Sequence, residues 1–391
     1  MATSAALEHQ LDIIKKVVDE KAAELDTKDY IKYSAIFDDT VSFIKTYKVL
    51  LYGGQAIHEL MPQKFKIYPK NKLPDIDIFA LDGAKVAQNV VKYLKRKGYP
   101  LASFTEALHE GTFKVFCQGL PILDITSVPK IVYKRLAVHS VVGDKGLRIV
   151  NPQFLRLSMH MILSQANDAF RWEKTFKRLV NFYKVFPPKA CTPKSGKPSK
   201  VPDRLIDSVY ELFQNTEYVV FGHRELEDVL GKKLPFDARI PKMNVFVKDN
   251  VSDIATDIAS LFDDPNVTIS KLHEEDMFVP EHVYILYNKE PMIAIFHANS
   301  CLTYVHHNKL NIASIHTILR LYLSILLSPN KASFEDYTKY IECYTNALTI
   351  IEQKMQGSRR RLLQEFMTQC YGTAPGVVTL RRERIERIEK K

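Results

Sequence analysis

Three aspartates stand where carboxylates could hold divalent cations. Asp75 and Asp77 flank Ile76 in the run Pro74-Asp75-Ile76-Asp77-Ile78-Phe79, and Asp124 lies inside Ile122-Leu123-Asp124-Ile125. On a strand, residues two apart share a face, so Asp75 and Asp77 would point one way while Ile76 and Ile78 point into a core. Asp124 repeats the pattern, and an acid amid apolar neighbours is costly to place without a cation or partner. On adjacent strands about 4.8 Å apart, such carboxylates suit a pair of metal ions roughly 3.5 to 4 Å apart serving an in-line displacement. Gly53-Gly54, after the apolar run Val49-Leu50-Leu51-Tyr52, adds the complementary half. A turn without side chains lets backbone N–H groups approach a polyphosphate, which then faces the positive end of a helix. The chemistry these residues suggest together is metal-dependent nucleotidyl transfer.

The elements that must position them follow from periodicity. Val49 to Tyr52 reads as a strand, Gln55 to Met61 as the helix after the glycine turn, and Val86 to Leu94 as a helix stopped near Lys97-Gly98. Phe113 to Gln118 and Leu120 to Thr126 read as a hairpin broken at Gly119, which would place Asp124 in a sheet with Asp75 and Asp77. Upstream, Leu7 to Leu25 and Tyr30 to Ile44 show helical apolar spacing and are expected to pack against the catalytic sheet.

At these residues the chain resembles the poly(A) polymerases of poxviruses and other large cytoplasmic DNA viruses, members of the polymerase-beta-like nucleotidyltransferase superfamily. The likeness runs through Tyr52-Gly53-Gly54-Gln55-Ala56, Ile67-Tyr68-Pro69, Pro74 to Phe79, Leu147 to Phe154 and Phe170-Arg171-Trp172-Glu173-Lys174. It implies that Asp75, Asp77 and Asp124 ligate Mg²⁺ or Mn²⁺ and that Gly53 and Gly54 hold the triphosphate of ATP. Gln55 stands where many superfamily members have Ser, which leaves direct side-chain help to the phosphates open. Arg171, Lys174 and Arg178 recur at helical spacing on Phe170 to Phe186, where phosphate contact and a solvated basic face fit equally. Tyr68 could stack on adenine, whereas Trp172 is read as a core residue.

Composition bounds the remaining choices. The chain has 391 residues, 46% of them hydrophobic, enough for two or three domains with real cores. No apolar run is long enough to span a membrane, and Met1 to Ala6 lacks a secretory pattern, so a cytoplasmic protein is expected. Five scattered cysteines, without Cys-x-x-Cys, argue against zinc and against a disulfide framework. The formal charge of +10 fits a polyanionic partner. Basic residues gather at Lys189, Lys194, Lys197, Lys200 and Arg204, read as a solvated linker, and again between Lys354 and Lys391, where RNA contact and a solvated helix fit equally.

Sliding the chain against itself by about 165 to 170 residues reveals a second copy. Tyr218 to Gly222 aligns with Leu50 to Gly54, Pro241 to Val247 with Pro74 to Ala80, and Glu290 to Ile295 with Leu120 to Ile125. The three acid positions become Lys242, Asn244 and Ala294, so this copy is expected to bind no catalytic metal, and Lys242 is a candidate RNA contact. The resulting reading is an α+β chain. An N-terminal helical segment (1–46) precedes a catalytic nucleotidyltransferase domain (47–186), a basic linker (187–204), a degenerate nucleotidyltransferase-like domain (205–350) and a basic C-terminal segment (351–391). The expected activity is template-independent addition of AMP from ATP to RNA 3′-hydroxyl ends. A homodimer or a processivity subunit is the expected partner, with no membrane. Other nucleotidyltransferase activities (CCA addition, oligoadenylate synthesis, small-molecule nucleotidylation) and a non-catalytic RNA-binding scaffold remain the alternatives.

Overall fold

The computed structural model describes residues 3–189, 199–230, 240–330, 338–354, 366–373 and 377–389. The chain divides into two units, one made of residues 1–133, 137–150 and 380–391, the other of residues 134–136 and 151–379. Lys194, Lys197 and Arg359 to Arg361, singled out above for charge, lie outside the described residues.

The first unit opens with α1 (Thr3–Ile44), β1 (Val49–Tyr52), α2 (Gly53–Leu60), β2 (Asp77–Ala80) and α3 (Gly83–Arg96). It continues through β3 (Ser103–Glu106), β4 (Thr112–Cys117), β5 (Leu120–Ser127), α4 (Lys130–Ala137), β6 (Val141–Val142) and β7 (Arg148–Ile149). Its strands form one sheet in the order β3-β4-β5-β2-β1-β7-β6. The β4–β5 hairpin turns through Gln118 and Gly119, both at positive φ, as a two-residue turn matched to strand twist requires. Asp82 caps α3 by accepting the Lys85 N–H at 3.0 Å.

Two expectations change here. The two predicted N-terminal helices are one continuous α1. Among its described side chains the buried apolar ones are Ile36, Phe37, Val41 and Ile44 in the last turns, while Ile14, Val18 and Leu25 are exposed. Asp75 is not on a strand. Strand β2 begins at Asp77 because its partner β1 ends opposite it, with Tyr52 paired to Asp77 and Gly53 turning away.

In the second unit, α5 (Pro152–Leu163), α6 (Trp172–Val185), α7 (Asp203–Leu212), β8 (Val219–Gly222), α8 (His223–Leu230), β9 (Met243–Val247) and α9 (Val251–Ser260) come first. Then follow β10 (Val267–Ile269), β11 (His282–Tyr287), β12 (Glu290–His297), β13 (Leu302–His307), β14 (Leu310–Ala313), α10 (Ile315–Leu327), α11 (Thr338–Lys354) and β15 (Cys370–Tyr371). The sheet order is β10-β11-β12-β9-β8-β14-β13-β15, the first unit's order repeated with one strand added. Even the irregularities repeat. The β4–β5 ladder shifts register between Val115 and Phe116, and the β11–β12 ladder shifts between Ile285 and Leu286. Matching the two sheets corrects the first strand's alignment by one residue, so that Phe221 takes the place of Tyr52 and Gly222 that of Gly53. The pairing of Asp77 with Asp124 recurs as Asn244 with Ala294.

Lys242 is 2% exposed, which removes it as an RNA contact. Its main chain is built into the sheet, donating to the Met292 carbonyl at 2.9 Å and accepting from the His223 N–H at 3.1 Å. Lys242→Glu is therefore expected to destabilise the fold by about 3 to 5 kcal/mol, as inverting a buried charge does, and to leave RNA affinity of the folded protein unchanged. Thermal melts paired with RNA titrations would read both.

The scattered cysteines, read as arguing against a disulfide framework, also need correction. Cys301 and Cys370 are joined, with Cα atoms 5.1 Å apart, where β15 pairs with β13. A sequence separation of 69 residues carries no spacing signal, since the pairing is created by the strand pairing itself. At the C-terminus, α12 (Val377–Glu389) uses part of its charge structurally. Arg384 donates to the Glu106 carbonyl and Thr105 hydroxyl, and Arg387 to the Glu106 carboxylate and Leu108 carbonyl, which ties α12 to the β3 edge.

Candidate active site

A row of side chains crosses four strands of the first sheet. Lys114 on β4 pairs with Asp124 on β5, Asp124 with Asp77 on β2, and Asp77 with Tyr52 on β1. Directly paired residues share a face, so these four stand side by side. The neighbouring row, Phe113, Ile125, Ile78 and Leu51, takes the other face and supplies core; Ile125, Ile78 and Leu51 are fully buried. An apolar row beneath a polar one is what period-two alternation demands of a sheet covered on one side.

Asp77 and Asp124 are both half-buried, and Asp75 is exposed. The chain leading into β2 stays in the ladder, since Ile76 O accepts the Asp124 N–H at 2.9 Å. Asp124 Oδ2 meets Lys114 Nζ at 2.7 Å, a cation already held at one of the carboxylates proposed for metal. Lys114 was not anticipated; it would have emerged from asking what faces Asp124 across the predicted hairpin. Gly53 begins α2 at φ +69°, and a Cβ there would stand 2.4 Å from Asp77 Oδ2. The turn that ends β1 thus lays the first backbone of α2 directly against the Asp77 carboxylate, as only glycine allows. Tyr52 stacks on Phe79 with ring centroids 3.9 Å apart and bonds Thr126 through its hydroxyl. Burial, reinforced by the charge of Asp77, pushes its phenol up, so it stays protonated.

Gln55 is buried and donates to Glu59 at 3.2 Å along α2. Its side chain is thus engaged within the helix, at the border of the adjoining cavity. Beside α2 lies a cavity of about 550 Å³, bordered by His58, Lys66, Tyr68, Lys70 and Lys145 and reaching Pro74, next to Asp75. The Tyr68 N–H donates to His58 Nδ1 at 3.1 Å. Burial, with the charges of Lys66 and Lys145 beside it, holds His58 below its ordinary range. A basic cavity against an acidic strand end is electrostatically suited to a polyphosphate whose far end meets cations.

Arg171 and Lys174 belong to the second unit, both exposed, with Arg171 3.8 Å from Asp168. Trp172 is buried and donates to the carbonyls of Ile162 and Gln165, as a core residue.

The second sheet shows what remains when the polar row is removed. Lys114, Asp124, Asp77 and Tyr52 correspond to Tyr284, Ala294, Asn244 and Phe221, all buried. The apolar row persists as Val283, Ile295, Val245 and Val220. The helix start is filled as well. Glu225 Oε2 accepts the Gly222 N–H at 2.8 Å, and Tyr210 OH accepts the Arg224 N–H at 3.2 Å. Donors that could meet a phosphate are satisfied internally.

A profile for the catalytic subunit of poly(A) polymerase matches residues 38–169, a span that contains all three aspartates and both glycines. A protein of Acanthamoeba polyphaga mimivirus assigned as a poly(A) polymerase catalytic subunit is 27% identical over 181 residues, which take in 45% of this chain and 30% of the viral protein. The crystal structure of the Megavirus polyadenylate synthase superposes with a TM-score of 0.78 at 20% identity, covering 97% of this chain and 83% of that one. The α+β architecture is therefore shared across both units, beyond the stretch the family profile matches. No helix among the described residues is long and apolar enough to cross a membrane.

Proposed function

We propose that this chain is a template-independent polynucleotide adenylyltransferase, which transfers AMP from ATP to the 3′-hydroxyl of RNA and so tails mRNA. The observation that carries the reading is the pairing of Asp77 with Asp124 on adjacent parallel strands, with Gly53 laid against Asp77. In the reaction the primer 3′-oxygen bonds to the α-phosphorus as the bond from that phosphorus to the bridging oxygen of pyrophosphate breaks.

The carboxylates fit hard divalent cations, which prefer oxygen donors and take few from protein. Asp75, Asp77 and Asp124 would hold Mg²⁺ or Mn²⁺, which when bound acidifies the primer hydroxyl and neutralises the leaving pyrophosphate. The chain's own residues do the positioning. Backbone donors at the start of α2, approached over Gly53 and Gly54, meet the triphosphate. Lys66 and Lys145 set a positive field in the adjoining cavity, and Tyr68 offers a ring for the base. Lys114 balances the Asp124 charge. The buried row under the acids keeps their strands rigid. Arg171 and Lys174 are proposed phosphate contacts. A partner subunit or a second copy of the chain for processivity, and a cytoplasmic location, are part of the same proposal; the description of the mimivirus protein as a catalytic subunit supports the partner subunit.

Lys66→Ala is expected to raise the KM for ATP about tenfold, the worth of one charge-assisted hydrogen bond, with kcat little changed. Steady-state kinetics with varied ATP would show it. A fall in kcat at constant KM would instead place Lys66 at the reacting phosphorus.

A further inference from the structure

We propose that His160, His316 and Glu352 bind a divalent d-block cation of the Zn²⁺ type, separate from the carboxylate site. The three side chains come from α5, α10 and α11, all in the second unit. Among the described residues they are the group of three metal-capable side chains whose donor atoms all lie within 4.8 Å of one another. His160 Nδ1 and His316 Nδ1 are 3.1 Å apart, and His316 Nδ1 is 3.4 Å from Glu352 Oε1. Zinc–nitrogen bonds of about 2.0 to 2.1 Å in tetrahedral array put donors roughly 3.3 to 3.4 Å apart. Two nitrogens and one carboxylate oxygen form the donor set that favours zinc over Mg²⁺ or Ca²⁺.

Proton counting leads to the same place. His160 Nε2 lies 2.7 Å from the Tyr183 hydroxyl. If it carries the proton, Nδ1 of His160 presents a lone pair toward His316 Nδ1. A proton on His316 Nδ1 could then serve His160 but not also Glu352, and neither Glu352 oxygen makes a hydrogen bond among the described residues. Glu352 is only 11% exposed at its side chain and His316 9%, so water does little to repair this. A cation placed among the three donor atoms would meet all of them at once. Tyr183 then acts as the outer partner that fixes the His160 tautomer, the usual companion of a metal-bound imidazole. The nearby Arg156 guanidinium, 5.5 Å from the Tyr183 ring centroid, is directed at the Phe186 carbonyl. A cavity of about 420 Å³ bordered by Phe176, Leu179, Tyr183, Lys184 and Glu352 lies beside the carboxylate. Such a site cross-links three helices and would contribute to folding. Sequence spacing hides it, since no two ligands come from one helix.

The test uses the full chain carrying Asp77→Ala, which silences the carboxylate site, titrated with Co²⁺ and followed by visible absorption. The expected result is one Co²⁺ per chain with tetrahedral d–d bands, displaced by Zn²⁺. Adding His316→Ala or Glu352→Gln should abolish the bands, and adding Tyr183→Phe should weaken Co²⁺ binding about 10-fold. Absence of the bands, or bands unchanged by His316→Ala, would overturn the proposal. Should the histidine variants not fold, the Asp77→Ala chain alone decides: Zn²⁺ must raise its Tm, and an unmoved Tm counts against the site.

Discussion

Asp77→Ala is expected to cut nucleotide addition by about a thousandfold or more while the protein remains folded. The size follows from what the carboxylate supplies. Charge stabilisation by a held cation is worth several kcal/mol, and about 4 kcal/mol corresponds to three powers of ten in rate. Folding should survive because Asp77 is half-buried at the end of β2, and the strand is carried by Ile78, Phe79 and Ala80 in the core. Single-turnover extension of a labelled RNA, with circular dichroism on the same samples, measures both. Normal activity in the variant would remove Asp77 from the chemistry.

The second large effect is at Gly53, which makes no side-chain contact of its own. Gly53→Ala places a methyl carbon 2.4 Å from Asp77 Oδ2, at φ +69°. The backbone term alone costs about 1 to 2 kcal/mol of stability. The larger consequence is displacement of the Asp77 carboxylate, and a shift on the order of 1 Å in a reacting constellation costs about a hundredfold in rate. Gly98→Ala separates the two contributions. Gly98 also has positive φ, at +95°, yet a Cβ there meets nothing within 4 Å. It should lose stability and keep its activity. If Gly53→Ala and Gly98→Ala behave alike in extension assays, the close approach to Asp77 has no catalytic meaning.

Much of this site was legible in the sequence, for a definite reason. Strand alternation ties chemistry to position, so Asp77 and Asp124 announce themselves as polar members of otherwise apolar strands. The self-comparison worked because the buried row (Leu51, Ile78, Ile125 against Val220, Val245, Ile295) must stay apolar in both copies. Where the constraint comes from neighbouring strands, the sequence does not display it. Aligning Phe221 with Gly53 rather than Tyr52 came from matching Gly222 to the second of two glycines, and only the strand register distinguishes them. Lys114 was missed because its role arises across a hairpin, and Lys242 was misplaced because a lysine's burial depends on neighbours from other strands. The Cys301–Cys370 bond and the His160, His316 and Glu352 cluster are products of tertiary folding alone.

The contrast between the two sheets gives the lost row functional weight. Tyr284, Ala294, Asn244 and Phe221 make a stable sheet without any charge, so Lys114, Asp124 and Asp77 are not required by the fold itself. Half-buried charges are costly to maintain, and the first sheet maintains them beside a glycine turn and a basic cavity. The proposed chemistry would account for that cost.

Incubating the protein with a short 3′-hydroxyl RNA, Mg²⁺ and each nucleoside triphosphate separately, and resolving product lengths on a gel, decides whether it is an adenylyltransferase. The account predicts a ladder of many additions with ATP, little with the other three, and none with an RNA whose 3′ end lacks the hydroxyl. Single additions, equal use of all four nucleotides, or no extension by the folded protein would contradict it.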